Sequence, residues 1–185
     1  MSTSYQLRLA HADDLVAIAT LHAASWRATY PFDLSADYLA QDLAADRQAL
    51  WQQRLTQPVT NQRVWVIDIA GSIVGFVCIY LQQDPQWGSL LDNLHVRSSA
   101  QGQGWSSILL QAVWSTCVTH AANNGLYLWV LQSNHKAQQI YQHYGAQRAE
   151  AGEWQAPDGS MVATWRYIWD KTTLAKLAKT SREYE

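Results

Sequence analysis

The stretch Gln101-Gly102-Gln103-Gly104-Trp105-Ser106 is where residue type and spacing could do chemistry. It follows a strand-like run and opens a helical one, so unpaired backbone N–H groups and the positive end of a helix dipole face one point. An anion belongs there. Glycines at 102 and 104 let the backbone turn sharply and approach a pyrophosphate without a Cβ in the way, so amides rather than charged side chains would be the donors. The loop carries no cation, which suits that mode. A nucleotide P-loop is excluded, because no lysine stands between Arg97 and Lys136. A dinucleotide fingerprint wants an acidic residue ~20 positions on, and His120 to Gly125 has none. A plain tight turn is the alternative these residues leave open.

Among titratable residues, Asp92 shares a strand face with Leu94 and Val96 if side chains alternate strictly, so it could act as a base directly or through water. A surface carboxylate is the competing reading. His95 points to the opposite face, as a satisfied structural histidine would. None of the six histidines forms a metal-ligand set with another histidine or a cysteine, so no metal is expected. Cys78 and Cys117 sit in apolar runs and lack CxxC spacing, which fits a reducing cytoplasm. A formal charge of −2 gives no reason to expect nucleic acid. No signal-peptide order and no 18-residue apolar run occur, so a soluble protein with no membrane partner is expected.

With hydrophobic residues at 48% and charged ones at 15%, the chain can bury a core. Residues 1–170 read as one domain and 171–185 as a tail that is either a docked helix or a frayed end. Tyr5 to Ala10 alternates like a strand, and Asp13 can cap a helix carrying Leu15, Ile18, Leu21 and Trp26 that Pro31 stops. A second helical stretch starts near Ser35 and ends before Pro58. Val64–Ile69 and Ile73–Leu81 form a hairpin about Ala70-Gly71-Ser72. Leu90–Val96 is a strand, and the glycine loop leads from it into a helix bearing Ile108, Leu109, Ala112, Val113 and Cys117, closed by Asn123-Asn124-Gly125. Leu126–Leu131 is a strand, Asn134–His143 a helix stopped by Gly145, and two strands flank Ala156-Pro157-Asp158-Gly159, the second being Met161–Trp169. The order β-α-α-β-β-β-α-β-α-β-β predicts a mixed α/β domain with helices on both sides of one sheet.

LDNLHVRSSAQGQGWSSILL resembles the coenzyme motif of GNAT acetyltransferases, with Val96, Gln101 and Gly104 on its fixed positions and Ser106 replacing a usual glycine or alanine. LWVLQSNHKAQQIYQHYGAQ is similar to the same family's second motif through Asn134, Ala137, Tyr141 and Gly145, with Ala146 in place of phenylalanine. HAASWRATYP resembles a first-helix segment of the family, so the likeness runs from about residue 5 to 170.

That resemblance implies a mixed, mostly antiparallel sheet of about seven strands, in which the strand ending at Val96 splays from its parallel neighbour Leu126–Leu131 to admit the pantetheine arm. It implies an acetyl-coenzyme A-dependent N-acetyltransferase that passes the acetyl group directly to a primary amine of a small molecule or peptide. A catalytically silent acyl-coenzyme A-binding or interaction domain is the alternative. Coenzyme contacts fall on Leu94, His95, Val96, Gln101, Gly102, Gln103, Gly104, Trp105, Ser106, Asn134 and Ala137. Tyr141 takes the position of the general acid, while Asn134 either caps its helix or binds pantetheine. A glutamate that some relatives carry is here Trp129, which leaves Asp92 as the candidate base. Trp26, Tyr30 and Phe32 would border the acceptor as an aromatic wall suited to a cationic amine. Acceptor identity, acyl chain length and a homodimer through the tail are left open.

Overall fold

The computed structural model describes residues 4–121 and 125–180. Its strands are β1 (Gln6–Leu9), β2 (Gln62–Ile69), β3 (Ser72–Asp84), β4 (Gly88–Val96), β5 (Leu126–Leu131), β6 (Gln147–Gln155) and β7 (Met161–Trp169). Its helices are α1 (Leu15–Thr29), α2 (Leu43–Thr56), α3 (Trp105–His120), α4 (His135–His143) and α5 (Lys171–Thr180). The seven strands form one sheet in the order β1-β2-β3-β4-β5-β7-β6, mostly antiparallel with β4 and β5 parallel. The expected mixed architecture is therefore present. The proposed helix stop at Asn123-Asn124 lies outside the described residues; α3 ends at His120.

Two compact units are distinguished, Met1–Cys78 with Asn93–Leu109, and Ile79–Asp92 with Leu110–Glu185. In the first, β1 pairs antiparallel with β2, Gln6 opposite Asp68 and Leu9 opposite Trp65. Arg8 ties that pair to the start of α1, giving two bonds to Asp14 at 2.7 and 2.9 Å and one to Asp68 at 3.0 Å. Asp14 also accepts the His11 N–H at 2.9 Å. The acid that organises this entry is thus Asp14, whereas Asp13, the expected cap, has a side chain 98% exposed. Helix α1 stops at Thr29, as Pro31 requires, and buries Ile18, Leu21, His22 and Trp26.

A π-helical turn at Tyr38–Asp42 leads into α2 and carries the Tyr38 hydroxyl to Asp46 as donor. The two-residue turn between β2 and β3 has Ala70 and Gly71 at φ 52° and 82°, the left-handed pair that a tight hairpin with right-handed strand twist demands.

In the second unit, β5 lies antiparallel to β7 along its whole length, and β6 completes the edge with an irregularity between Arg148 and Glu150. Helix α4 covers one face of these strands. Gln142 donates to the Tyr167 hydroxyl at 2.9 Å, and the Trp169 indole N–H donates to the Tyr144 carbonyl at 2.9 Å. Residues Lys171–Thr180 of the tail form α5, with Leu174 and Ala178 buried; the rest of the tail lies outside the described residues.

Cys78 and Cys117 are free thiols at 0% and 1% exposure. Burial pushes the Cys117 thiol up to about 11.

Candidate active site

Leaving β4, the chain makes a single 3-10 turn at Ser98–Ala100, passes through the exposed residues Gln101–Gly104 and enters α3 at Trp105. Gly102 and Gly104 sit at φ 78° and 85°, where a β-carbon costs about 1–2 kcal/mol. Nothing lies within 4 Å of where a Cβ would stand at either position, so the glycines open space outward. Ser107 and Ile108 donate to the Gly104 carbonyl at 3.0 and 3.3 Å, which starts the helical pattern. Ahead of them, among the described residues, the N–H groups of Gly102, Gln103, Gly104, Trp105 and Ser106 have no acceptor within the chain. Five adjacent donors at a helix N-terminus have the arrangement that suits an anion.

Gln101 has a different task from its neighbours. Its carboxamide donates to the Val96 carbonyl at 3.2 Å and so staples the loop back onto the strand it left. Arg97 N–H donates to the Val74 carbonyl of β3 at 2.8 Å. Because successive N–H groups of a strand point to opposite edges, those of Leu94 and Val96 face away from β3. At Gly75 of β3, a Cβ would meet the Val96 side chain at 3.3 Å, Leu109 of α3 at 3.2 Å and the His95 carbonyl at 3.2 Å, so the strand lies tight against this segment.

His95 is half-buried, with Nδ1 2.7 Å from the Ser25 hydroxyl. Its ring lies 4.6 Å from that of His22 and 5.3 Å from that of Phe76. Burial first, and then the Arg47 charge, lower His95 to about 4, so it is neutral at physiological pH. His22 is wholly buried and likewise held neutral, chiefly by burial. Its Nδ1 accepts the Trp51 indole N–H at 2.9 Å, which assigns its proton to Nε2. The His95 side chain therefore belongs to a packed cluster, and what it can offer a coenzyme is main chain. Ser25 and His22 carry no signal in the sequence, since Ser25 and His95 are 70 residues apart.

Asn93 accepts from Arg54 of α2 at 2.7 Å and His95 meets α1, so those two share a face. Ser89 instead touches Cys117 of α3. Asp92 is half-buried, with its charge acting on Tyr127.

The aromatic residues expected to border an acceptor divide. Trp26 is buried at 7% exposure, and the Arg47 guanidinium lies 4.2 Å from its ring centre, so a side chain of the protein already occupies one face. Tyr30 packs edge-on against Trp26 at 5.7 Å. Phe32 is 99% exposed and joins neither.

In the second unit the parallel ladder holds two residue pairs, Ser89 opposite Leu126 and Leu90 opposite Tyr127, although β5 continues to Leu131. Asn134 caps α4, its side-chain oxygen accepting the Ala137 N–H at 3.1 Å. Tyr141 is buried at 9% exposure, edge-on to Trp169 at 5.9 Å. Among the described residues no group of three metal-ligating side chains occurs, and no helix is long and apolar enough to cross a membrane.

A helix terminus whose N–H groups have no acceptor within the chain thus follows the fourth strand of a mixed seven-stranded α/β sheet. The model of the acetyltransferase (GNAT) family matches residues 17–146, and the chain belongs to that family. No curated protein matches the chain in sequence. Its fold is similar to that of a GCN5-related N-acetyltransferase from Rhodopseudomonas palustris, at 20% identity and a TM-score of 0.70 over 92% of this chain and 98% of that one. It is also similar to PaiA N-acetyltransferase from Thermoplasma acidophilum in complex with coenzyme A, at 13% identity and a TM-score of 0.68 over 87% and 98% of the two chains. A spermidine N-acetyltransferase SpeG chimera from Vibrio cholerae and hSSAT gives 16% identity and a TM-score of 0.63 over 94% and 99%.

Proposed function

We propose that the protein is an acetyl-coenzyme A-dependent N-acetyltransferase acting on a primary amine of a small molecule or peptide. The observation that carries this reading is the run of acceptor-free N–H groups from Gly102 to Ser106. The residues fit a diphosphate: the donors are adjacent, the space above both glycines is open, and the helix dipole favours negative charge. Bound acetyl-coenzyme A would supply an acetyl thioester open to attack by an amine. The Leu94 and Val96 N–H groups, turned away from β3, are suited to a carbonyl oxygen, and a donor aimed at the oxyanion contributes ~3–4 kcal/mol in comparable sites. Leu94, His95 and Val96 act here through main chain.

Asn134 and Ala137 enter as coenzyme contacts through the family motif, with the Ala137 N–H committed to the cap. We assign Tyr141 to hold a proton for the departing thiolate, and Asp92 to take the proton of the amine directly or through water. The domain's acceptor is read as a free amine, with soluble cytoplasmic operation.

Two measurements test the reading together. Titration calorimetry should give saturable coenzyme A binding by the wild type. Thiol release from acetyl-coenzyme A over a panel of primary amines should then rise above the amine-free rate. Binding without release for any amine would leave a silent carrier domain, and no binding would overturn the loop assignment.

A further inference from the structure

Across β5, β7 and β6, Trp129 stands opposite Arg166, and Arg166 stands opposite Glu150. Directly opposed residues of antiparallel strands share a face, so these three form a row on one side of the sheet. Tyr167 and Trp169, alternating with Arg166, turn to the other side, where α4 binds them. The Arg166 guanidinium lies 4.4 Å from the Trp129 ring centre, 4.6 Å from that of Trp87 and 5.2 Å from that of Tyr127, and pairs with Glu150 at 3.0 Å. Its side chain is 13% exposed, against 48% for Glu150. Trp129, at 39%, is the one exposed tryptophan of ten.

The indole is seated by a missing side chain. A Cβ at Gly152 would come within 2.6 and 2.8 Å of two carbons of the Trp129 ring. Any residue but glycine would lift the ring off the strand. Trp129 is thus backed by Gly152 and carries the Arg166 guanidinium over its ring, with the residue still 39% exposed.

Charge around the platform is unbalanced. Asp84 and Asp92 both act electrostatically on Tyr127, and Asp84 feels Arg166. With Glu150, which pairs with Arg166, three carboxylates act on these residues, and the Arg166 guanidinium is mostly covered. What faces solvent is Trp129 and the Glu150 carboxylate, and three rings already gather round a cation. An amine must be neutral to attack a thioester, so the reacting nitrogen cannot be the cation such a surface holds.

We propose that the Trp129–Arg166–Glu150 row is an acceptor-recognition surface, and that the acceptor carries, besides the amine that reacts, a second cationic group seated over Trp129. The inference rests on the acetyltransfer reading above and narrows its acceptor class.

Three four-carbon probes test it: butylamine, 1,4-diaminobutane and 4-aminobutanoate. By thiol release, kcat/KM for the diamine should exceed that for butylamine on the order of tenfold, with 4-aminobutanoate lowest. Trp129→Leu and Glu150→Gln should each shrink the diamine-to-monoamine ratio by about fivefold or more. Gly152→Ala, which keeps the indole but removes its seat, should shrink it too, with folding checked by circular dichroism. Equal rates for the three probes, preference for 4-aminobutanoate, or an unchanged ratio in Trp129→Leu would overturn the proposal. So would a Trp129→Leu variant whose only change, by sedimentation, is from dimer to monomer. Should coenzyme A bind but no amine release thiol, calorimetry with 1,4-diaminobutane decides separately. Binding that Trp129→Leu abolishes supports the surface while the transfer reading fails, and no binding by the wild type overturns it.

Discussion

At the start of α3 the N–H groups of residues 102–106 have no acceptor, whereas at the start of α4 the Asn134 carboxamide takes the Ala137 N–H at 3.1 Å. Both are N-termini of helices that follow a strand, and both carry the same partial charge. They differ in what precedes the first turn. Before α4 stands a residue whose side chain folds back onto the helix. Before α3 stand two glycines with no side chain to do so, while the carboxamide of Gln101 is turned to Val96. A helix terminus is therefore closed or left open by one or two residues, and an open one has five donors to offer a ligand.

The largest effect should come from filling the open terminus. Gly104→Glu adds a β-carbon at φ 85° and a negative charge at an anion site, and we expect coenzyme A affinity by calorimetry to fall about 100-fold or more. Unchanged affinity would erase the contrast between the two termini. Next in size is Tyr141→Phe, further along the closed helix, which should lower kcat about 100-fold with coenzyme A affinity near the wild-type value. A wild-type rate would leave α4 a structural role only. Gln101→Ala removes the staple to Val96 and should weaken coenzyme A binding about three- to tenfold by loosening the loop. Smallest is Asn134→Ala, which should cost about 1 kcal/mol of stability by urea denaturation while leaving coenzyme A affinity within about twofold. A loss of affinity larger than the loss of stability would make Asn134 a ligand and break the comparison from its other side.

Most of the fold was legible because its signals are local. Prolines at 31 and 58, the Ala70-Gly71 turn and the apolar run LYLWVL each report on a few neighbouring residues, and α1, α2, the β2–β3 hairpin and β5 follow. The glycine loop was legible for the same reason. Asp14 was missed as the organiser of the α1 entry because its partner Arg8 sits on a strand and Asp68 lies 60 residues from Arg8. Ser25 beside His95, and Trp129 stacked on Arg166, depend on elements far apart in the chain, and no spacing announces either.

The buried state of Cys78 and Cys117 has a practical consequence for the bench. Thiolate is the species that attacks a chromogenic disulfide reagent. A Cys117 raised to about 11 and shielded from solvent will not compete for it in the folded protein. Colour developed during turnover therefore counts carrier thiol alone, and any denatured fraction announces itself as up to two extra equivalents per chain.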